Sequence, residues 1–485
     1  MTVNTTRRYK SIPVIDGRPL MGNLLEFRAD RLGLLLKVSR ICGDIGAYYI
    51  GRTRKTFVNS APLVQKILMG HSDSLDKSLE LRKFGTPLLG NGMLISDNSF
   101  NRRQRRLVAA AFQPSRMKAY AEVTAAYAER ICRSWSAGQR IEVYREMARL
   151  TLWTVGKNLF DAEVFAEADE LGNALTQAIS GFDSQLRAFV PLTIHWPTPK
   201  NIAVARAIRR LNKTTLALIA RRKADPTEHE DFLSSLLNAS YEDGSPMSDR
   251  QIQDEIVNFF MAGYETSATA LTWAWYLLSQ HPAIYARLRS EVDAVLRGRT
   301  PTSADLPELR YTLQVFKEVL RLYPPVPVFQ RRVTQAVTVD DYYLPAGSTL
   351  VFSPFAMHRR TDYFPNPERF DPDRFSPENE KRQPLHSWMP FGAGRRICIG
   401  NHYAIANGQI ALATLAQRVA LDTRQPFPEC DPMVTLRPKH PVEMIVSHRV
   451  PTPSEIVPLH SASGDKSGTR CPFAGMSLEN SCESS

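Results

Sequence analysis

The stretch Phe391-Gly-Ala-Gly-Arg-Arg-Ile-Cys-Ile-Gly400 sets one cysteine inside a glycine-rich loop and then passes into an apolar pattern of helical period. Gly392, Gly394 and Gly400 permit a tight bend that other residues would strain, so backbone N–H groups can converge on the Cys398 sulfur. Arg395 and Arg396 add positive charge beside it. The helix reading onward from Ile399 through Tyr403 and Ile405 turns its positive end toward the same atom, and a thiolate is the expected form. A lone cysteine is commonly a buried structural thiol, so the stretches around it decide its meaning.

Ser248-Asp-Arg-Gln251 is a capping box, opening a helix that should run to about Gln280 before His281-Pro282 stops it. Ile252, Ile256, Phe259, Gly263 and Thr266 share one stripe of that helix. Gly263 leaves room for something to sit against the helix. Thr266 can hydrogen-bond outward or turn back on the carbonyl four residues earlier, and Glu265 can connect bulk water to that hydroxyl. Leu309 to Tyr323 reads as another helix, ended by Pro324-Pro325, in which Glu318 and Arg321 are neighbours; exposed, such a pair contributes only about 0.2–0.5 kcal/mol.

With 485 residues, 43% of them hydrophobic, the chain can bury a substantial core in one large domain or two or three smaller ones. Six cysteines, at positions 42, 132, 398, 430, 471 and 482, form no CxxC pair, which argues against a disulfide framework or zinc module and suits a reducing cytosol. The segment Met1 to Lys10 is polar and basic, and no run approaches the roughly 20 apolar residues of a membrane span. A cytoplasmic protein without a membrane span is expected. A net charge of +12 would suit nucleic acid, but no nucleic-acid motif accompanies it, leaving a solvated basic surface or a dock for an acidic protein.

Elsewhere, Ala47 to Ile50 and Thr56 to Val58 read as strands around a Gly51-Arg-Thr-Arg turn. Lys83 to Asp97 shows no helical period and reads as an apolar loop. Asn101-Arg-Arg-Gln-Arg-Arg106 begins a basic helix ending near Phe112. Helical spacing recurs over 120–160, 164–179 and 201–223, with an aromatic- and proline-rich loop over 182–199. Val337 to Val339 and Thr349 to Phe352 read as strands, Cys398 leads a helix to Val419, and Val434 to Leu436 with Val442 to Val446 reads as a terminal hairpin.

Phe391, Gly394, Arg396, Cys398 and Gly400, the run Ala262-Gly-Tyr-Glu-Thr-Ser267, Glu318-x-x-Arg321, and Pro367-Glu-Arg-Phe370 resemble four motifs of the cytochrome P-450 family, in the family's order, over residues 18 to 447. The resemblance implies a mainly α fold with small antiparallel β-sheets. It implies an N-terminal segment at 1–17, a haem domain at 18–450 and a disordered, Ser-, Pro-, Glu- and Gly-rich tail at 451–485. Its cofactor would be haem b, with Cys398 as axial ligand to the iron and Phe391 beside it. Arg105, Arg396 and Arg332, with Arg331 as the other candidate, would reach the haem propionates. Asn101 stands where relatives carry an aromatic residue on a propionate, and an amide can still donate there.

By the same resemblance, Thr266 and Glu265 would activate oxygen and deliver protons. Glu318, Arg321 and Arg369 would hold the loop bearing Cys398. Leu88, Met93, Phe259, Ala262, Gly263, Val326, Phe329 and Val434 would line the substrate pocket, and the 180s and 190s would form a movable lid. The implied activity is a haem-thiolate monooxygenase placing one oxygen atom from dioxygen into an apolar molecule such as a terpenoid or other secondary metabolite. The rival readings are a peroxide-using or non-oxygenating haem-thiolate enzyme, and a haem-based sensor or carrier without turnover.

No cysteine cluster suits an iron–sulfur centre and no dinucleotide fingerprint stands in a strand-turn-helix setting. Electrons from NAD(P)H would therefore come through separate partners, a ferredoxin or flavodoxin with its reductase, docking on Arg102 to Arg106 and Arg395 of a monomer.

Overall fold

The structure is a computed structural model and describes residues 9–162, 168–187, 196, 198–227, 229, 231–432 and 434–449. Among the described residues, sixteen α-helices lead the architecture. They are α1 Leu24–Ala29, α2 Arg31–Cys42, α3 Ala61–Gln65, α4 Leu79–Leu89, α5 Asn98–Val108, α6 Pro114–Ser134, α7 Val143–Phe160 and α8 Ala168–Arg187. After them come α9 Pro199–Ala224, α10 Phe232–Leu237, α11 Asp249–Gln280, α12 Pro282–Leu296, α13 Arg310–Leu322, α14 Pro354–Met357, α15 Pro377–Glu380 and α16 Asn401–Arg418.

Twelve short strands form four sheets. The largest joins β1 Ile45–Ile50, β2 Thr53–Val58, β8 Thr349–Phe352, β5 Phe329–Val333 and β3 Leu75–Asp76, in that order. It is mixed rather than purely antiparallel, because β2 and β8 run parallel with Lys55 opposite Thr349. Strands β6 Val337–Val339 and β7 Tyr342–Leu344 make a hairpin, β4 Arg140–Glu142, β12 Glu443–His448 and β9 Val419–Asp422 a second small sheet, and β10 Cys430–Pro432 with β11 Leu436–Pro438 a third. The expected terminal hairpin is thus corrected: β11 pairs with β10, and β12 with β4 and β9.

Helix α11 is the axis of the molecule. Ser248 caps it, its hydroxyl accepting from the Gln251 N–H at 3.2 Å, while the Gln251 side chain turns to Asn91 and Glu255 instead of closing the capping box. Trp273 near its far end stacks on Tyr323 with centroids 4.1 Å apart and donates to the Leu436 carbonyl at 2.7 Å, so one indole ties α11, the end of α13 and β11 together.

One more expectation changes in part. The first half of the apolar loop expected over 83–97 is helix, since α4 reaches Leu89 despite an internal Pro87, and residues 90–97 are irregular. Before residue 18 the chain already meets the largest sheet, where the Ile15 N–H bonds the Ala47 carbonyl at 3.0 Å and Ile15 is buried. The expected lid at 182–199 lies in part outside the described residues; its first residues, through Arg187, extend α8. The expected tail at 451–485 also lies outside them. Among the described residues no helix is long and apolar enough to cross a membrane.

Candidate active site

The cysteine loop is built by its glycines and by one closing hydrogen bond, from the Cys398 N–H to the Phe391 carbonyl at 3.0 Å. Gly394 sits at φ +75°, and a Cβ there would run into the Leu68 carbonyl, so only glycine fits both the bend and the contact. The Cys398 side chain is exposed although protein surrounds it closely, the mark of a group facing an internal void. Burial pushes its thiol up, against the Gly400 N–H and the Arg105 guanidinium. The expected thiolate is therefore not favoured by the protein alone. Arg395 and Arg396 are spent elsewhere: Arg395 pairs with Asp73 at 2.6 Å and Arg396 with Asp76 at 2.9 Å. The cation acting on the sulfur is Arg105, which also donates to the Ile397 carbonyl at 2.7 Å.

A second internal surface opens on α11. The helix is buried from Ile252 to Leu278 except at Met261, Ala262, Gly263, Thr266 and Ser267. Ala262 and Thr266 stand one turn apart on one face, as do Gly263 and Ser267. Exposure in the middle of a central helix means that these residues border a space. Thr266 Oγ1 donates to the Ala262 carbonyl at 2.7 Å. The reading of Gly263 needs correction: a Cβ there would meet the Val155 side chain at 2.9 Å, so the missing side chain admits α7 rather than a ligand. Phe259 belongs to an aromatic cluster, with ring centroids 5.6 Å from Phe112 and 4.4 Å from Phe232.

Glu265 is 2% exposed. Its Oε1 accepts from the Arg437 guanidinium and the Thr435 hydroxyl, both beyond the reach of any sequence window around Glu265. Burial acts against the Arg437 charge, but Glu265, Tyr144 and Tyr264 outweigh it and hold its pKa above the ordinary range.

Next to the cysteine loop lies a pocket lined by Leu75, Asn98, Asn101, Arg105, Arg331 and Arg396 among others. It holds more positive than negative charge. Burial and Arg396 depress Arg331 to about 10, burial likewise brings Arg396 to about 10, and burial with both arginines drives Lys77 well below its usual value. Nη1 of Arg396 is buried with no partner among the described residues. On β5, Arg331 points inward and is 6% exposed, whereas Arg332 lies on the other side of the strand, half-buried, opposite Asp76. Of the two arginines, Arg331 and not Arg332 lines the pocket, and Lys77 lies near enough to Arg331 and Arg396 to feel their charge. Asn101 lines the pocket, but its Nδ2 donates to the Met93 carbonyl at 2.8 Å.

Beneath the loop, Arg321 and Glu318 form a fully buried pair at 2.6 Å. Arg321 donates to the carbonyls of His358, Pro367 and Arg369. The third arginine is Arg374, its Nε 3.5 Å from Glu318 Oε1; Arg369 contributes only its carbonyl, and its expected role is corrected accordingly. Buried His358 links this set to the cysteine loop. Its Nδ1 lies 3.0 Å from the Arg321 carbonyl and its Nε2 accepts the Met389 N–H at 2.9 Å, which makes it a neutral ring protonated on Nδ1. Burial lowers its pKa to about 3.

Of the other expected pocket residues, Leu88 and Met93 are buried, Val326 and Val434 half-buried. Phe329 stacks on Phe352 at 5.2 Å and carries the Arg331 guanidinium 5.0 Å over its ring, on the side of the second core with Leu68 and Ala393. Phe391 packs edge-on against Trp388, 6.2 Å between centroids.

These residues fit an iron porphyrin. A sulfur open to an interior space can take the iron, and crowded cations with one guanidinium nitrogen, Arg396 Nη1, unpartnered among the described residues suit the two carboxylates that a porphyrin carries. The sequence comparisons agree. The family model for cytochrome P-450 matches residues 13–446. The cyclooctatin synthase of Streptomyces melanosporofaciens is 36% identical over 417 residues, 85% of this chain and 90% of the relative. The pentalenene oxygenase of Streptomyces avermitilis is 32% identical over 439 residues, 90% of this chain and 97% of the relative. The cyclooctat-9-en-7-ol 5-monooxygenase of Streptomyces melanosporofaciens is 32% identical over 402 residues, 82% and 87% respectively. On its motifs, its buried cation pocket and these relatives, the chain belongs to the cytochrome P-450 family.

Proposed function

We propose that this monooxygenase acts on a terpenoid, inserting one oxygen atom into its hydrocarbon skeleton in the cytoplasm. The observation that carries the reading is the half-exposed row formed by Ala262 and Thr266 in a buried helix, paired with a cysteine open to the interior. Such a row offers apolar surface and one hydroxyl, enough to orient a molecule with few polar groups. The names of the Streptomyces relatives favour cyclic terpenoids.

Bound haem supplies the redox-active iron at which dioxygen is reduced. Cys398 would ligate it, while Arg105, Arg331 and Arg396, which line the pocket beside the cysteine loop, would hold its propionates. Thr266 Oγ1 would hold the proton to be delivered, after turning from the Ala262 carbonyl. Proton entry through Glu265 would require its carboxylate to part from Arg437. Until then the Glu265 carboxylate fastens β11 through Arg437 and accepts from Thr435.

Electrons would come from NAD(P)H through a ferredoxin or flavodoxin and its reductase. Arg102 and Arg395, both exposed and both paired with Asp73, would meet the partner together with Arg106. The test is incubation of the purified protein with cyclic terpene hydrocarbons, NADPH, ferredoxin, reductase and labelled dioxygen. One labelled oxygen in the product is expected; turnover with label from water, or from added peroxide alone, would refute the reading.

A further inference from the structure

The chain leaves α7 at Asp161 and leaves α9 at Asp225, so α8 and α9 together form one excursion between two aspartates. The two ends of that excursion meet. His229 lies between them, its Nδ1 3.0 Å from Asp161 Oδ2 and its Nε2 2.9 Å from Asp225 Oδ2. A neutral imidazole carries a single N–H, so only the protonated ring donates to both carboxylates at once. At 17% exposure the ring is sheltered on most sides, which sets it apart from a solvated surface pair.

Local chemistry shapes both ends for this meeting. Asp161 is the left-handed residue that ends α7, at φ +44°, with its N–H on the Lys157 carbonyl at 3.0 Å. Asp225 ends α9 ahead of Pro226, and its other oxygen takes the Thr227 N–H at 2.9 Å.

A second tie joins the same ends but differs in kind. Arg222, on the last turn of α9, donates to Asp231 at 2.6 and 2.7 Å and to the Phe160 carbonyl at 2.9 Å. Both side chains of that pair are less than a tenth exposed, and a guanidinium keeps its proton. Arg222 is therefore a permanent pin, whereas the tie through His229 lasts only as long as its proton.

The described charges facing the ring are Asp225 and Arg222 from α9, Asp161 and Lys157 from α7, and Asp231 at the start of α10. Glu228 and Glu230, its neighbours in sequence, lie outside the described residues. The bond to Asp225 raises the His229 pKa, burial opposes it, the bond to Asp161 adds to the rise, and Arg222 works against it. The Thr227 N–H and His229 hold Asp225 down to about 2. The ring's share in the closure is thus complete below about pH 6.5, while the aspartates stay charged, and drains away as pH climbs through its raised folded pKa. Asp161, His229 and Asp231 also stand close enough to share a metal ion, but Lys157 and Arg222 already neutralise the two carboxylates, which leaves the proton as occupant.

What the closure holds is a two-helix arm. Gly181 of α8 packs so closely on Val204 of α9 that no Cβ fits between them. The arm touches α11 where the Thr176 and Tyr264 hydroxyls lie 3.2 Å apart.

We propose that His229 is a proton-operated catch at the base of the α8–α9 arm: charged, it closes Asp161 onto Asp225, and on losing its proton it lets the arm pivot about Arg222 and loosens α8 on α11. The catch needs no substrate and stands apart from the function proposed above.

The test is hydrogen exchange by mass spectrometry on the haem-loaded full chain between about pH 6 and about pH 9, corrected for the intrinsic rate. Peptides covering 156–162 and 223–229 report on the base, one covering 174–181 on the arm, and one covering 268–278 serves as control. Corrected exchange at base and arm should rise about two- to fivefold with pH, with the control steady. His229→Gln should exchange fast at every pH. His229→Arg, whose charge persists, should stay protected throughout, and Asp225→Asn should move the midpoint to lower pH.

A parent without this pH dependence at the base overturns the catch, and so does a midpoint unmoved in Asp225→Asn, which decides the matter even if His229→Gln does not fold. A His229→Gln protein that keeps the parent's pH dependence overturns it as well. A rise at the base with none at 174–181 overturns the coupling to α8. Protection lost at about pH 6 on dialysis against EDTA would show a metal ion in place of the proton and overturn the proposal.

Discussion

Arg437 and Glu265 meet as a buried ion pair that joins β11 to the middle of α11, with the Thr435 hydroxyl on the same carboxylate oxygen. The acid of the Glu-Thr couple is therefore committed to a partner 172 residues away. Removing the arginine alone strands a carboxylate inside the protein, and breaking such a pair typically costs roughly 3–5 kcal/mol. Arg437→Met should lower unfolding stability by that order, whereas Arg437→Met combined with Glu265→Gln should recover much of the loss. Additive losses in urea unfolding of the two single changes would show that the pair is not coupled.

The two arginines offered by Pro367-Glu-Arg-Phe370 and Pro372-Asp-Arg-Phe375 separate cleanly in space. Arg374 faces Glu318, and Arg369 serves through its carbonyl, which any residue supplies. Arg374→Ala should destabilise by a few kcal/mol, since it leaves the fully buried Glu318 with less countercharge. Arg369→Ala should fall within about 1 kcal/mol of the parent. The opposite ranking in thermal or urea unfolding would restore Arg369 as the third member.

His358 makes an acid-sensitive joint. Its folded pKa lies near 3, below the ordinary 6.5, so the folded protein holds it neutral while the unfolded chain takes up a proton. The stability it contributes is complete above about pH 6.5 and drains away as pH falls toward 3, by up to about 5 kcal/mol. His358→Asn should lower stability at pH 7 but flatten its decline between pH 6.5 and 4. An unaltered slope in stability against pH would rule the residue out.

Arg331 and Arg332 are adjacent in sequence and opposed in space. Haem transfer to apomyoglobin should accelerate about tenfold or more in Arg331→Gln, which deletes a charged donor from the pocket. Arg332→Gln should change it by less than about twofold. Equal rates for the two variants would remove Arg331 from the cofactor site.

Much of this could be read from the chain, where local chemistry determines local shape. The Gly394 bend, the Ser248 cap and the Glu318–Arg321 spacing each carry their geometry within a few residues. What escaped has physical reasons. Pro87 and Gly85 obscure the period of α4, which holds through packing against α11 and α8. Strand parity decides between Arg331 and Arg332, and a one-residue shift in register exchanges them. Lys77 and Arg437 reach their sites through contacts distant in sequence, and nothing near either residue announces the charge it will meet.

Asp73 receives both Arg102 and Arg395 on one carboxylate oxygen, at 2.8 and 2.6 Å. On a chain with twelve surplus positive charges, this aspartate is a tethered rival to any acidic visitor. An acidic protein docking there would first have to pull two guanidinium groups away from a carboxylate that never diffuses off, and on its departure the same carboxylate would take them back. Strength of attachment would thereby be exchanged for brevity.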